Sequence, residues 1–379
     1  MEVEDILKGL VGINSVYGNE ARIGAYLESY LKRLGFRTRR GYFGPKRFNI
    51  FAERGSGPNP VLFYGHMDTV TKHGKWKGSP FNLLREGDRL YGLGSCDMKG
   101  GIAALLKSLE GNRSRRIMVL LCSDEENIST GAWHAVRHDR KWLRDAALMV
   151  SCEPGDSKWH TGGANVVTVG RRGRVVIEAD VFGRSSHGAN PQRGINAIEE
   201  AAKIAVASKS FRLRSHKTLG RENIFVRHVS GESESALDLP DTAHLEFDVQ
   251  TVPPSTNEDA RRRVVDLIHR LRDKGRLNSE TEVAVRIKER PTPYIEPYIN
   301  DTSNSKIRKV LGIIRENLRE PVINYGSSVA DDNILANSIR RPVITIGPKG
   351  GNEHAQNEWV SLKSLNELVK IYRLIELQT

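Results

Sequence analysis

The sequence predicts an α/β chain: a mixed, largely parallel sheet domain interrupted by an α+β insert. Three observations carry this expectation. Strand-like and helix-like segments alternate up to about residue 165 and again after Pro291 and Pro293, the pattern of βαβ units with parallel pairing. Between them, "VVTVGRRGRVVIEADVFG", starting at Val166, switches to period-two alternation. Histidines and carboxylates also fall where strands of the first texture end. The alternating domain is taken as residues 1–168 and 289–379, and the insert as 169–288.

Residues 3–35 read as amphipathic helix broken by a turn from Gly12 to Gly18, with Gly35 as a stop. Val61-Leu62-Phe63-Tyr64 has the β-branched and aromatic bias of a strand, which Gly65 ends. A helix from about Gly100 to Leu109, a strand from Ile117 to Cys122, a helix near Thr130 to His138 and a strand from Ala147 to Cys152 follow. In the insert, a helix around Asn196 to Ser208 comes after the alternating stretch. Strands at Ile224 to Val229 and His244 to Val252 and a helix near Asn257 to Lys274 complete it. The closing segments are a helix near Asn304 to Leu318, a strand from Pro342 to Ile346 and a helix from about Leu362 to Leu377.

With 379 residues, 38% hydrophobic and 27% charged, the chain has the composition of a soluble globular protein with room for two domains, not of a disordered or membrane-embedded one. The acidic start Met1-Glu2-Val3-Glu4-Asp5 lacks the basic-then-apolar pattern of a secretion signal. No apolar run nears the roughly eighteen residues of a membrane span. Cys96, Cys122 and Cys152 are too few and too scattered for a disulfide framework, which favours the cytoplasm. The net charge of +12 raises a rival reading, a basic nucleic-acid-binding module with a degenerate metal site. Its clusters (Arg37-Thr38-Arg39-Arg40, Arg113 to Arg116, Arg171-Arg172-Gly173-Arg174, Arg261-Arg262-Arg263) are short, dispersed and free of any helix-turn-helix, zinc-finger or RNP signature. Neither nucleic acid nor membrane is therefore expected as a partner, while an acidic protein partner suits the charge.

His66 and Asp68 follow the first strand two residues apart, so an extended segment turns them the same way. Asp97 precedes a helix in "YGLGSCDMKGGIAALL"; Glu125 and Glu126 follow the Ile117 strand, Glu153 the Ala147 strand and His354 the Pro342 strand. Open parallel sheets bind ligands outside the carboxyl ends of their strands, so five segments deliver His and Asp/Glu to one rim. Singly, each has a blander reading: Glu125-Glu126 as a solvated turn, Asp97 as a helix cap, His66 as a satisfied core histidine. Jointly, two histidines and three or four carboxylates suit one or two divalent ions, zinc first, with cobalt or manganese as substitutes. Two ions about 3.5–4 Å apart would polarise a carbonyl and furnish a bound hydroxide as nucleophile. In the Glu125-Glu126 pair, one carboxylate can ligate while the other stays off the metal as general base.

Gly92-x-Gly94 before a helix is a weak phosphate-loop signal. Its third glycine is misplaced, no Walker lysine follows, and Asp97 would repel phosphate, so a tight turn presenting Asp97 is the better reading. Each cysteine lies beside a site residue, but alternation along an extended chain turns Cys96 and Cys152 away, which reads as core packing.

As a set, "GHMDTV", "GSCDMKGG", "SDEEN", "CEPG" and "EHAQNEWV" resemble the motifs of the M20 metallopeptidase and deacylase family, which includes acetylornithine deacetylase, succinyl-diaminopimelate desuccinylase and glutamate carboxypeptidases. The resemblance spans nearly the whole chain. It implies a two-metal amidohydrolase that cleaves the amide or peptide bond of an N-acylated amino acid or small peptide. His66, Asp97 and Glu153 would hold metal, with Asp97 bridging; Glu126 and His354 would complete the two sites; Glu125 would be the base and Asp68 the residue orienting His66. The insert resembles the family's lid and dimerisation domain. In its "GRSSHGANPQRGINAI", His187 matches the histidine that reaches a partner subunit's site in a homodimer and stabilises the oxyanion. Two departures bear on substrate. Family members often carry an asparagine in an N-x-x-P turn and an arginine in a D-x-R strand; aligned on Pro240, those positions are Leu237 and Gln250. The late loop "SSVADDNIL" is nearer the T-x-D-M-N form of hydrolases that release lysine or ornithine from an acidic amino-acid carrier protein, an alternative reading for a chain of this charge.

Overall fold

The computed structural model describes residues 1–111, 115–155 and 162–378; Arg113 of the basic clusters lies outside them. The chain divides into two units, Met1–Arg171 with Ile299–Thr379, and Arg172–Tyr298.

The central sheet of the first unit runs in the order Arg37–Gly44, Arg47–Arg54, Arg115–Cys122, Ser56–His66, Leu148–Ser151, Val343–Thr345, Val166–Arg171, and Val322–Gly326 pairs with the last of these. Its middle is parallel. Ser56–His66 pairs in parallel with a strand on each side, and Val343–Thr345 with Leu148–Ser151. Val61 to Tyr64 and Ile117 to Cys122 are buried at every position, the uninterrupted apolar pattern of strands covered on both faces. The helices Val3–Val11, Ala21–Arg33, Lys99–Ser108, Ser305–Asn317 and Leu362–Gln378 share one core with them. In the first helix, Val3, Ile6, Leu7, Leu10 and Val11 recur at the helical period and are the buried residues. A small second sheet, Gly350–Gly351, Trp359–Ser361, Arg89–Tyr91, Leu84–Glu86, carries the hairpin that holds His354.

The second unit is an antiparallel sheet in the order Asn223–Glu232, Thr242–Thr251, Gly173–Phe182, Glu282–Ile287. Val175, Ile177, Ala179 and Val181 alternate into a core with the helices Ala197–Ala207 and Asn257–Asp273. Glu178 and Asp180, between them, point the other way into an ion network. Arg286 reaches Glu178 at 2.9 Å and also pairs with Asp180, Lys288 pairs with Glu246, and Arg174 reaches Asp248 at 2.6 Å. The Arg174–Ile295 bridge keeps the segment after Ile287 with this unit, which therefore ends at Tyr298, against 288 in the sequence reading.

Several elements were not expected. Arg37–Gly44, whose first four residues the sequence shows only as a basic cluster, is a strand because long cationic stems cover its neighbour's rings. The Arg39 guanidinium lies 3.8 Å from the Phe51 ring centroid and that of Arg40 4.3 Å from Phe48. Among the described residues, no helix is long and apolar enough to cross a membrane.

Candidate metal centre

The buried ring of His66 closes the Ser56–His66 strand. Its Nδ1 lies 3.1 Å from the Asp68 carbonyl oxygen. Donation to that carbonyl fixes a proton on Nδ1 and turns Nε2, the nitrogen a metal would take, toward Asp97 Oδ1 at 3.0 Å and Glu153 Oε1 at 3.5 Å. The second oxygen of Asp97 faces His354 Nε2 at 3.4 Å, and that nitrogen lies 3.0 Å from Glu126 Oε2. The potential ligand atoms of His66, Asp97 and Glu153 all fall within 4.8 Å of one another, as do those of Asp97, Glu126 and His354. Two groups of three thus share one carboxylate, which offers an oxygen to each.

The electrostatics of these groups call for cations. Glu153 Oε1 is buried without a hydrogen bond. Burial, reinforced by the Asp97 charge, pushes Glu153 well above the usual carboxylate range, and burial with the Glu153 charge does the same to Glu125. Burial would raise Asp97 too, but the His354 and His66 imidazoles outweigh it and hold Asp97 well below that range. Hydrogen bonds to Asp97 and Glu126 push His354 up to about 11. Protons here do the neutralising that a divalent ion would do better, and the imidazole and carboxylate donors are those zinc takes. The residues fit such ions.

Asp68 is fully buried, and its carboxylate accepts the backbone N–H of Glu125 at 3.2 Å and of Glu126 at 2.9 Å. That carboxylate lies 3.7 Å from His66 Nδ1, so the hydrogen bond orienting the imidazole runs to the Asp68 backbone carbonyl instead. Glu125 belongs to neither group of three, and its carboxylate accepts no hydrogen bond among the described residues. His187 lies in the second unit on an exposed loop bridged to Asp238, with Nδ1 accepting the Ala189 N–H at 3.1 Å. Next to it, the Gly188 N–H donates to the Leu237 carbonyl at 2.6 Å, so His187 and Leu237 share one pair of loops. The Gln250 amide oxygen accepts from Asn223 Nδ2 at 2.9 Å and Arg172 Nη1 at 3.3 Å. All three cysteines are buried; burial pushes Cys152 up to about 12 and raises Cys96 and Cys122 well above the usual thiol value, so they are thiols, and Cys96 Sγ donates to Glu353 at 3.2 Å.

Buried charges beyond the candidate ligands support the centre. Arg47 Nη2 reaches Glu20 at 3.0 Å and Asp124 at 2.6 Å, while Asp124 accepts the Thr130 N–H at 3.1 Å and closes the loop bearing Glu125 and Glu126. The Tyr64 hydroxyl donates to Asp331 at 2.5 Å; Arg171 and the Thr345 hydroxyl both donate to Asp332, at 3.3 and 2.5 Å. Glu358 lies buried in "EHAQNEWV". The available signal was a carboxylate inside an apolar run such as "VADDNIL", where a charge must have partners to be stable.

The model of Peptidase family M20/M25/M40 matches residues 62–377. The chain belongs to this family. As an M20 protein it is a metal-dependent amide-bond hydrolase. A succinyl-diaminopimelate desuccinylase from Nitrosospira multiformis is 28% identical over 355 residues, covering 91% of this M20 chain and 89% of the relative. A tripeptidase from Staphylococcus aureus matches it in structure with a TM-score of 0.78 at 20% identity, over 99% of this chain and 97% of the other. A dinuclear metal binding peptidase from the M20 family of Bacillus subtilis matches with a TM-score of 0.75 at 12% identity, over 99% and 96%. These structural likenesses show a shared fold.

Proposed function

We propose that this M20 chain cleaves the amide or peptide bond of an N-acylated amino acid or small peptide. His66, Asp97 and Glu153 would hold one divalent ion, Asp97, Glu126 and His354 the other, and Glu125 would act as general base. The observation that carries this reading is the pair of ligand groups sharing Asp97, with Glu125 in neither. Two zinc ions bound there would polarise the scissile carbonyl and acidify water toward neutral pH. Glu125, raised by burial and by the Glu153 charge, takes the proton of the attacking water and passes it to the departing amine nitrogen. Asp68 grips the Glu125 and Glu126 amides, which keeps base and ligand aimed in different directions. The desuccinylase among its relatives supports an N-acyl amino acid as substrate class. A homodimer, with His187 steadying the oxyanion in a partner subunit, is supported by the edge strand Asn223–Glu232, which leaves Phe225 and Val229 about half exposed. The fold gives no support to a nucleic-acid-binding module.

Glu125→Gln tests the division of labour. Its kcat should fall about 10²–10⁴-fold, the usual cost of a lost general base, while elemental analysis still finds about two ions per chain. Loss of metal from this variant would make Glu125 a ligand and overturn the assignment.

A further inference from the structure

The Gly92-x-Gly94 turn has the makings of an anion cradle, and an internal carboxylate fills it. The Gly94 N–H donates to Glu358 Oε2 at 2.6 Å, and the Cys96 and Asp97 N–H groups donate to Glu358 Oε1 at 2.8 and 2.9 Å. The Gly92 N–H donates to the Glu358 backbone carbonyl at 3.0 Å. Gly94 has φ of +75°, open to glycine at little cost, and a Cβ there would meet Thr69 Cγ2. Glu358 is 2% exposed, and the nearby buried Lys99 spends its ammonium on the Ile13 carbonyl at 2.9 Å, so backbone amides are what meet this carboxylate. Glu358 also ends the hairpin that holds His354. One side chain therefore fastens the turn that ends at Asp97 to the arm that carries His354.

We infer that Glu358 is a positioning residue of the metal centre: it locks the turn from Gly92 to Asp97 so that Asp97 presents one oxygen to each ligand group. This rests on Asp97 being the shared ligand. A turn ordered beforehand spares the ion the entropy of ordering it, so the clamp acts on metal affinity first and on turnover only through metal occupancy.

The experiment titrates metal-stripped full-length chain with Zn²⁺ against a competing chelator, for wild type and Glu358→Gln. Glutamine keeps the volume but turns an NH₂ toward one side of the cradle, leaving at least one backbone N–H without an acceptor. Glu358→Gln should bind Zn²⁺ about 10–100-fold more weakly, be inactive at limiting Zn²⁺, and regain most of the wild-type kcat at saturating Zn²⁺. A purely structural role would lower the melting temperature of the metal-free chain with Zn²⁺ affinity unchanged, and that result overturns the inference. Hydrogen exchange on the metal-free wild type decides the matter even if the variant fails to fold. A peptide spanning Gly92 to Asp97 should exchange as slowly as the central strands. Fast exchange that slows only on adding Zn²⁺ would show that the ion, not Glu358, orders the turn. Should wild type itself take up no Zn²⁺, the reading of the centre fails, and with it this inference.

Discussion

Arg47 sits between Glu20 and Asp124, which are 2% and 0% exposed, while its own side chain is 30% exposed. Burial would raise Asp124, yet Arg47, with Thr130 and Asn127, holds it below the usual carboxylate range. Arg47→Met keeps the aliphatic stem and strands two buried carboxylates, so urea unfolding should report a loss of about 2–4 kcal/mol. Arg39→Met removes an exposed partner of Asp139 and should cost less than about 1 kcal/mol. Equal losses for the two variants would deny Arg47 its special place. The metal-ligand candidates were legible residue by residue because each follows a strand end or opens a helix, a position with chemical meaning. Their supports were not, since Arg47 meets Asp124 across 77 residues and Asp97 meets Glu358 across 261, and no local period marks such a pair. The sequence did suggest a carboxylate brace for His66, but it could not reveal that the Asp68 backbone oxygen makes the bond.

Among the elements, the segment carrying Glu153 is gripped from two sides. A Cβ on Gly101, in the Lys99–Ser108 helix, would run into the Cys152 carbonyl, and one on Gly347 into the Glu153 carbonyl. Backbone meets backbone there, so the neighbours cannot yield by turning a side chain. Gly101→Ala should destabilise by about 1–3 kcal/mol and reduce metal content by shifting Glu153. Gly312, in the Ser305–Asn317 helix, has nothing within 4 Å of such a Cβ, and Gly312→Ala should stabilise by about 0.5–1 kcal/mol. Thermal unfolding of both reads the two signs, and a neutral Gly101→Ala would refute the close approach. The buried parallel strands were legible because every position is apolar. Asp331–Ile339 was not read as a helix because Asp331, Asp332 and Asn333 are buried where an ordinary core helix would place apolar side chains. Glu282–Ile287 alternates in burial too, but its outward side mixes Glu282, Ala284 and Arg286, of which Arg286 joins the ion network, and such a short mixed stretch carries a weak period.

At the scale of the whole molecule, His187 tests whether two chains cooperate. His187→Ala should lower kcat about 10²–10³-fold, as loss of an oxyanion donor does, with zinc content unchanged. Mixing His187→Ala with Glu125→Gln should restore part of the activity; no recovery after demonstrated subunit exchange would rule out action across a dimer. The change of texture at Val166 and its reversal after Pro293 made the interrupted organisation legible, because periodicity reports burial on one face or two. Sheet order was not legible, since no sequence period tells Val343–Thr345 to lie between Leu148–Ser151 and Val166–Arg171. That placement has a consequence for how the protein is born. Domains tend to fold as they leave the ribosome, at roughly 5–20 residues per second. Arg172–Tyr298 emerges whole and can fold during translation, whereas the first unit waits with a gap in its sheet until its late strand arrives. His354 and Glu358 come later still. The nascent chain therefore cannot assemble the candidate metal centre until His354 and Glu358 have both emerged, long after the other candidate ligands.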